Sequence, residues 1–337
     1  MSAARSASEQ AVAVRAGVGV FRLADRGLIE VRGGDRARWL DGMLSNDVAG
    51  LRAGRDRSGC YALALNAKGR IVADVHVLLR DSAFWLETAR AAVPRLLEHF
   101  GRHLIADDVE LRDIGASADR LGVEGPLAQR LLARAAPGAA ELAADCCAEL
   151  RAGAGEGVVA RYGWSGEDAF ALFVRAGAAD LLIQELLAAA VDCEPVLAAE
   201  DALEILRIEA GTPRFGAEID ESVLPAEARL ERAVARSKGC YVGQEVVARM
   251  EAARRVSHRL VGLALGAAQP AEPGSAISAA EGRVGEVTSS CRSALAGSIA
   301  LGFVRSAHAE PGAELRVAGV PARVAALPFV APRAPAA

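Results

Sequence analysis

The spacing of apolar and polar positions gives the first third of the chain strands and helices in an α+β order. Residues 35–44 place Trp39, Leu40 and Met43 on one helical face, and the near-continuous apolar run Ile71–Leu79 is typical of a buried strand. The predicted elements of this third are strands within 21–32 and at 61–66 and 71–80, and helices at 35–44 and 91–103.

The same patterns continue through the middle of the chain. Pro126 opens a predicted helix, and Gly211 ends another. No Gly-rich dinucleotide or phosphate loop interrupts these elements, which argues against a nucleotide-binding fold. The predicted elements here are strands at 119–124, 158–162 and 169–174, and helices at 126–132, 178–190 and 197–211.

After residue 257 the texture changes to short apolar runs separated by Gly, Pro and Ser turns, which is typical of a small all-β barrel. We therefore expect a domain boundary near residues 252–258. The predicted organisation is a flexible N-terminus at 1–18, an α+β region at 19–251, a barrel at 252–330 and a disordered tail at 331–337.

Composition argues against nucleic-acid binding and against membrane association. The 337 residues are 52% hydrophobic and 24% charged, with a net charge of −4 and no basic stripe, so we expect a soluble protein without stable nucleic-acid binding. No apolar run is long enough to span a bilayer, and the first residues lack the apolar segment of a secretory signal. We therefore expect no membrane association and a cytoplasmic location.

The six cysteines show no spacing typical of a metal site or a disulfide framework, so no resident metal is predicted. Cys240 stands out because Gly239 and Gly243 flank it and Lys238 lies two residues away. The chain has 37 arginines and only two lysines, and a nearby ammonium favours a reactive thiolate. The alternative is a buried cysteine with a packing role only.

Asp74 lies inside the apolar run Ile71–Leu79, where a carboxylate is costly unless it is paired, protonated or directed at a ligand. It is a candidate general acid or base, and a salt bridge to one of the many arginines is the alternative. Glu167 follows Trp164 in a turn, a combination suited to a flat heterocycle with an amide edge, but on the residues alone an exposed turn glutamate is the more ordinary interpretation. Arg207 pairs with Glu209 or contacts a ligand, and Arg254 and Arg255 either meet a ligand carboxylate or are solvated.

Residues 238–245, Lys-Gly-Cys-Tyr-Val-Gly-Gln-Glu, resemble the motif of the YgfZ family, folate-binding proteins that assist iron–sulfur cluster assembly and repair. Further stretches resemble the wider superfamily of the glycine-cleavage T-protein, an aminomethyltransferase. They span almost the whole chain in matching order. The T-protein-like stretches are residues 44–48, 65–74, 207–211 with 215–216, and 285–289 with 299–302.

The resemblance implies two ferredoxin-like α+β units that form a ring with a C-terminal barrel, and tetrahydrofolate in the central hole. It implies that Asp74 faces the reactive folate nitrogens and that Glu167 binds the pterin edge with Trp164 beside it. It also implies an arginine near the folate at Arg207, whereas Lys238 and Cys240 match residues peculiar to the YgfZ branch.

Three functions follow from the residues and the resemblance. In the first, the protein binds tetrahydrofolate or a one-carbon folate and uses Cys240 with Lys238 to serve iron–sulfur enzymes or assembly proteins, including cluster-dependent tRNA-modifying enzymes. The alternative is a folate-dependent one-carbon transferase in which Asp74 is the base or charge stabiliser. The third is a folate-binding module without activity.

Overall fold

The computed structural model describes residues 5–54, 56–153, 155–190, 193–253 and 256–333. In these residues the chain forms two α+β units, each built on its own sheet, followed by a closed barrel. None of the described helices has the length and apolar character needed to cross a membrane. The described helices are α1 (Ala7–Ala16), α2 (Arg36–Met43), α3 (Val93–Gly101), α4 (Ala128–Ala135), α5 (Ala179–Ala189), α6 (Glu200–Ala210) and α7 (Gln244–Ala253). The described strands are β1 (Gly19–Arg22), β2 (Arg26–Arg32), β3 (Gly59–Leu65), β4 (Ile71–Leu79), β5 (Phe84–Ala89), β6 (Glu110–Asp113), β7 (Ala118–Glu124), β8 (Cys147–Ala152), β9 (Gly155–Ala160), β10 (Ala169–Arg175), β11 (Val196–Ala198), β12 (His258–Leu265), β13 (Ala276–Ala279), β14 (Gly282–Ser293), β15 (Gly297–Arg305), β16 (Glu314–Val317) and β17 (Val320–Ala325).

The first unit is a five-stranded antiparallel sheet in the order β3-β4-β5-β2-β6. Trp39 of α2 and Phe100 of α3 pack in its core with their rings 5.3 Å apart. Successive side chains of a strand point to opposite faces. Residues 73, 75 and 77 of β4 therefore enter this core, and Asp74, His76 and Leu78 face the other way, toward the second unit.

The second unit is a six-stranded sheet in the order β11-β1-β7-β10-β9-β8, covered by α4 and α5. It corrects one expectation about the strand pair predicted within residues 21–32. The strands β1 and β2 exist, but they lie in different sheets, because residues 23–25 cross from the second unit to the first. This crossing places Arg22 and Arg26 between the two units.

The barrel predicted for the C-terminal part is confirmed. Its six strands close in the order β12-β15-β14-β13-β16-β17 around an apolar interior. The helix α6 packs between the barrel strands β14 and β15 and the helix α1. Gly211 ends α6 in the left-handed conformation with φ 74°, which glycine adopts at no steric cost.

The N-terminus differs from the flexible segment expected at residues 1–18. Ala7–Ala16 forms α1, which Ser6 and Glu9 cap reciprocally. The sequence suggested a frayed end because its first residues are small, but alanine is the best helix former and Arg15 is anchored internally. In the tail, residues 331–333 have no regular structure, and residues 334–337 lie outside the described residues.

Candidate active site

Asp74 occupies the middle of β4 and is only 7% exposed. Its Oδ2 accepts a hydrogen bond from the hydroxyl of Tyr61 at 3.0 Å, whereas its Oδ1 is buried without a hydrogen-bond partner among the described residues. The hydroxyl of Thr88 donates to the backbone oxygen of Asp74 at 2.7 Å and fixes the strand at this point. A buried carboxylate with one open acceptor position is costly to the fold and suited to a ligand proton.

Arg26 and Glu87 lie beside Asp74 and form a buried bidentate ion pair, with N–O distances of 2.5 and 2.8 Å. Burial acts to lower the pKa of Arg26, but the charges of Glu87 and then Asp74 outweigh it and hold that pKa above its ordinary value. The guanidinium also lies over the ring of Trp164, 5.1 Å from its centroid. We refer to Asp74, Tyr61, Arg26 and Glu87 as the central cluster.

Within the central cluster Tyr61 contacts His76, which in turn stacks on Tyr162. Burial, and then the charge of Asp74, raise the pKa of Tyr61 well above its ordinary value, so this phenol stays protonated and donates. The ring of His76 stacks on that of Tyr162 with centroids 3.6 Å apart, and its Nδ1 lies 3.5 Å from a carboxylate oxygen of Asp145. These contacts surround Asp74 with packed aromatic rings.

Two cavities border the central cluster, each lined by one of its members. The first, the Trp164 cavity, has a volume of about 320 Å³ and is lined by Trp164, Arg26 and Arg207 together with residues of α6. The second, the Tyr61 cavity, measures about 220 Å³ and is lined by Tyr61 and Arg232 with residues from the C-terminal segment. Asp74 itself lines neither cavity, but its neighbour Arg26 lines the first and its hydrogen-bond partner Tyr61 lines the second.

Glu167 is placed near this region, but its carboxylate is already engaged. Its Oε1 accepts from Arg15 at 2.6 Å, and its Oε2 accepts from the backbone N–H of Arg333 at 2.9 Å. Arg15 also bonds Glu209 at 2.7 Å, so one buried guanidinium joins α1, α6 and the turn that holds Glu167. The exposed turn glutamate considered from the sequence is therefore wrong, because this side chain is fully buried.

Arg207 differs from one of the two sequence alternatives. It does not pair with Glu209 but forms hydrogen bonds with Glu204, Glu218 and the hydroxyl of Ser289. Its residue is 2% exposed, yet it contributes to the lining of the Trp164 cavity. Arg207 thus joins α6 to the barrel as well as bordering the cavity, while Arg254 and Arg255 lie outside the described residues.

The residues that sequence reasoning missed are Tyr61, Arg26, Glu87 and Glu124. Glu124 is fully buried and accepts from the backbone N–H groups of Trp164 and Ser165, the latter at 2.8 Å, which shapes the turn that carries Trp164. Glu87 stands in the mostly apolar strand β5, the signal that identified Asp74, so it was accessible to the same reasoning, whereas β7 also carries Asp119 and Arg120 and gave no such signal for Glu124. Arg26 gave no such signal, because its pairing with Glu87 depends on how residues 23–25 cross between the two units, which the local sequence does not show.

Lys238 lies in the loop before α7, and its side chain is 1% exposed. Its ammonium donates to the backbone oxygens of Asp41, Leu44 and Asn46, the last two at 2.8 Å, where α2 ends. Burial lowers the pKa of Lys238, and the neighbouring Asp41 carboxylate opposes this shift. The ammonium is therefore used to satisfy carbonyls that a helix end leaves without partners.

Cys240 is exposed, in contrast to Lys238. The loop around it is fixed on both sides: the N–H of Val242 donates to Gly42 at 3.1 Å, and Gly243 lies against the backbone of Asn66. No described contact joins Cys240 to Asp74, and it lines neither cavity. Among the described residues, no group of three or more His, Cys, Asp or Glu side chains is placed to hold a metal ion.

Comparisons with known proteins agree with this geometry. The GCVT N-terminal domain model matches residues 2–238, and the model of the glycine cleavage T-protein C-terminal barrel domain matches residues 258–331. The aminomethyltransferase of Rubrobacter xylanophilus is 34% identical over 322 residues, covering 94% of this chain and 84% of that protein. The aminomethyltransferase of Streptomyces coelicolor is 32% identical over 339 residues, covering 96% and 89%.

A solved structure shows the same architecture. The crystal structure of glycine cleavage system aminomethyltransferase T from Bartonella henselae superposes with a TM-score of 0.86 at 26% identity, covering 97% of this chain and 90% of that one. The α+β fold with a C-terminal barrel is therefore confirmed. The narrower assignment to the YgfZ branch, which rests on residues 238–245, stays a prediction.

Proposed function

The chain belongs to the glycine cleavage T-protein family, and we propose that it binds tetrahydrofolate beside the central cluster and acts as a one-carbon transferase of the aminomethyltransferase type. The observation that carries the proposal is the buried Oδ1 of Asp74, which has no hydrogen-bond partner among the described residues. Its other oxygen is held by Tyr61, so the carboxylate has a fixed orientation and one free position. That is the requirement for a group that accepts or holds a proton.

The residues present fit a reduced folate. The Trp164 cavity, of about 320 Å³, lies within the range of small-molecule sites and offers an aromatic ring with a neighbouring cation. Bound tetrahydrofolate would supply two nitrogens that accept a one-carbon unit. Trp164 would stack on the flat pterin, and Asp74 would hold a proton or balance a positive charge at its Oδ1.

Glu167 has a restricted part in this proposal. A pterin edge at this carboxylate must share Oε2 with the backbone N–H of Arg333 or displace it. A carboxylate oxygen accepts more than one hydrogen bond, so sharing is chemically allowed. We therefore retain Glu167 as a proposed pterin contact that depends on residues 331–333.

The experiment measures methylene-tetrahydrofolate formation from an aminomethyl donor, with tetrahydrofolate binding measured in parallel. Asp74→Asn keeps an oxygen for the Tyr61 hydroxyl but removes the base, so we expect binding to persist and the rate to fall by at least about 100-fold. Tetrahydrofolate binding without turnover from any aminomethyl donor would remove the transferase and leave a binding protein. Unchanged turnover in Asp74→Asn would remove Asp74 from the chemistry.

A second candidate, assistance to iron–sulfur enzymes through Cys240, has one observation in its favour. The thiol is exposed on a loop that Lys238 and Val242 fix to α2, so a partner protein can approach it. One cysteine cannot hold a cluster alone, so the contact must be shared with that partner or brief. Normal growth and cluster-enzyme activity in a Cys240→Ala strain, equal to a Ser237→Ala control, would eliminate this role.

A further inference from the structure

Arg120 is a buried cation without a full set of partners. It lies on β7, is 6% exposed, and its Nη2 donates to the backbone oxygen of Gly115 at a long 3.3 Å. Its Nε is buried and has no hydrogen-bond partner among the described residues. The carboxylate that favours its charge, Glu87, already accepts hydrogen bonds from Nε and Nη2 of Arg26. A guanidinium in this condition is costly unless an anion completes its shell.

Further arginines surround a cavity at the same place. This arginine cavity, of about 180 Å³, is lined by Arg22, Arg90 and Arg120. Arg90 is exposed, and its guanidinium has no hydrogen bond or ion pair with the described residues. Burial, opposed by Glu87 and reinforced by the like charge of Arg90, lowers the pKa of Arg120. Guanidinium groups that converge on a cavity are the usual means of holding carboxylates and phosphates.

The negative charges at this cavity do not neutralise the arginines. Of its described lining residues Asp119 is the single acid, and its Oδ2 accepts from the backbone N–H groups of Gly177 and Ala179 at 2.8 and 3.1 Å. Arg22 forms an ion pair with Asp180, whose side chain is 84% exposed and therefore contributes little. The cavity keeps a net positive character.

The arginine cavity also adjoins the proposed folate site. Arg22 and Leu23 contribute to the lining of both the arginine cavity and the Trp164 cavity. A ligand in one cavity can therefore extend toward the other. The chain segment that makes this junction is the crossing between the two units, at residues 22–26.

We propose that Arg22, Arg90 and Arg120 form a binding site for a small dianion, either a phosphate group or a pair of carboxylates. The dianion comes from a separate small molecule or from the glutamate tail of a folate held in the Trp164 cavity. Only the second source rests on the proposed function. In either case the anion supplies acceptors to the guanidinium of Arg120, whose Nε has no hydrogen-bond partner among the described residues.

Titration calorimetry with inorganic phosphate tests the site directly. We expect binding to the wild type, at least tenfold weaker binding in Arg120→Gln and in Arg90→Gln, and no change in Arg102→Gln, an exposed arginine elsewhere. Arg120→Gln removes a buried charge without a partner and should fold; Arg90→Gln, at an exposed position, repeats the test without touching the core. Phosphate binding that is equal in all four proteins would overturn the proposal.

A second series separates the two sources of the anion. Tetrahydropteroate, which has no glutamate, is compared with tetrahydrofolates that carry one and three glutamates. A tail source predicts affinity that rises with the number of carboxylates and loses that rise in Arg120→Gln. If phosphate binds but the number of glutamates has no effect on folate affinity, the site is supported and its anion comes from a separate small molecule. If Arg120→Gln changes neither the affinity for phosphate nor the effect of tail length, the site is contradicted. If phosphate binds but no folate does, only the proposed function is contradicted.

Discussion

The central cluster and the loop at residues 237–243 use their charged side chains in opposite ways. In the cluster the carboxylate of Asp74 is buried with one oxygen that has no hydrogen-bond partner among the described residues, beside a cation that forms two hydrogen bonds with Glu87. In the loop the cation, Lys238, is buried on backbone carbonyls, and the thiol of Cys240 is exposed. The buried lysine therefore has its hydrogen bonds satisfied at the end of α2, whereas the central cluster keeps an acceptor that is available to a ligand.

The largest effect on stability should come from the central cluster. Glu87→Gln leaves Arg26 as a buried charge without its partner, and we expect a loss of about 3–5 kcal/mol in the free energy of unfolding. Denaturant unfolding measures it, with Glu110→Gln, in an exposed pair with Arg112, as the matched control that stays near the wild type. Equal effects in the two variants would show that the central pair is solvated.

The second-largest effect on stability should come from the loop at residues 237–243. Lys238→Met leaves the carbonyls at the end of α2 without donors, so we expect a loss of about 2–4 kcal/mol in unfolding free energy. The matched control is Lys68→Met, because Lys68 is the other lysine and is exposed. Lys238→Arg keeps the charge but has a planar fork, and we expect an intermediate loss. A stable Lys238→Met protein would show that this lysine does not hold the loop.

The reactivity of the thiols should distinguish the exposed Cys240 from the other cysteines. Burial raises the pKa of Cys60 and Cys291 to about 12 and that of Cys147 to about 11, and Cys146 and Cys193 are buried. At pH 8 only about one in ten thousand of the thiols with a pKa of 12 is ionised, so a maleimide should label one cysteine per chain. Mass spectrometry should place the label on Cys240 and find none in Cys240→Ser. A second site labelled equally fast would contradict the burial of these thiols.

The smallest effect should be that of Cys240 on the fold. Because the side chain is exposed, we expect Cys240→Ala to change the unfolding free energy by less than about 0.5 kcal/mol. Tetrahydrofolate affinity should also match the wild type, since Cys240 lines neither cavity. A loss of affinity measured by tryptophan fluorescence would link the loop to the folate site.

Much of the fold could be predicted from periodicity. The strand β4, the face of α2 and the barrel followed from the apolar pattern, and Asp74 followed from the rule that a carboxylate in a buried strand needs a reason. The assignment of β1 and β2 to different sheets could not be predicted, because it depends on which unit each strand joins. The same holds for the partners of Arg207 and Glu167, which come from distant parts of the chain.

Lys238 shows the limit of local reasoning at the site. Its place two residues from Cys240 suggested a tuned thiolate, but a long side chain can reach groups that are distant in sequence. In the structure it reaches residues 41–46, almost two hundred positions earlier. The rarity of lysine correctly pointed to Lys238 as a residue with a special role. That role is to donate hydrogen bonds to the backbone carbonyls at the end of α2.

The most direct test of the account compares Asp74→Asn with Cys240→Ala in one assay of methylene-tetrahydrofolate formation. If the central cluster performs the chemistry, Asp74→Asn lowers the rate by at least about 100-fold, and Cys240→Ala stays within about twofold of the wild type. The reverse result, with activity lost in Cys240→Ala and kept in Asp74→Asn, would contradict the account and move the chemistry to the exposed loop.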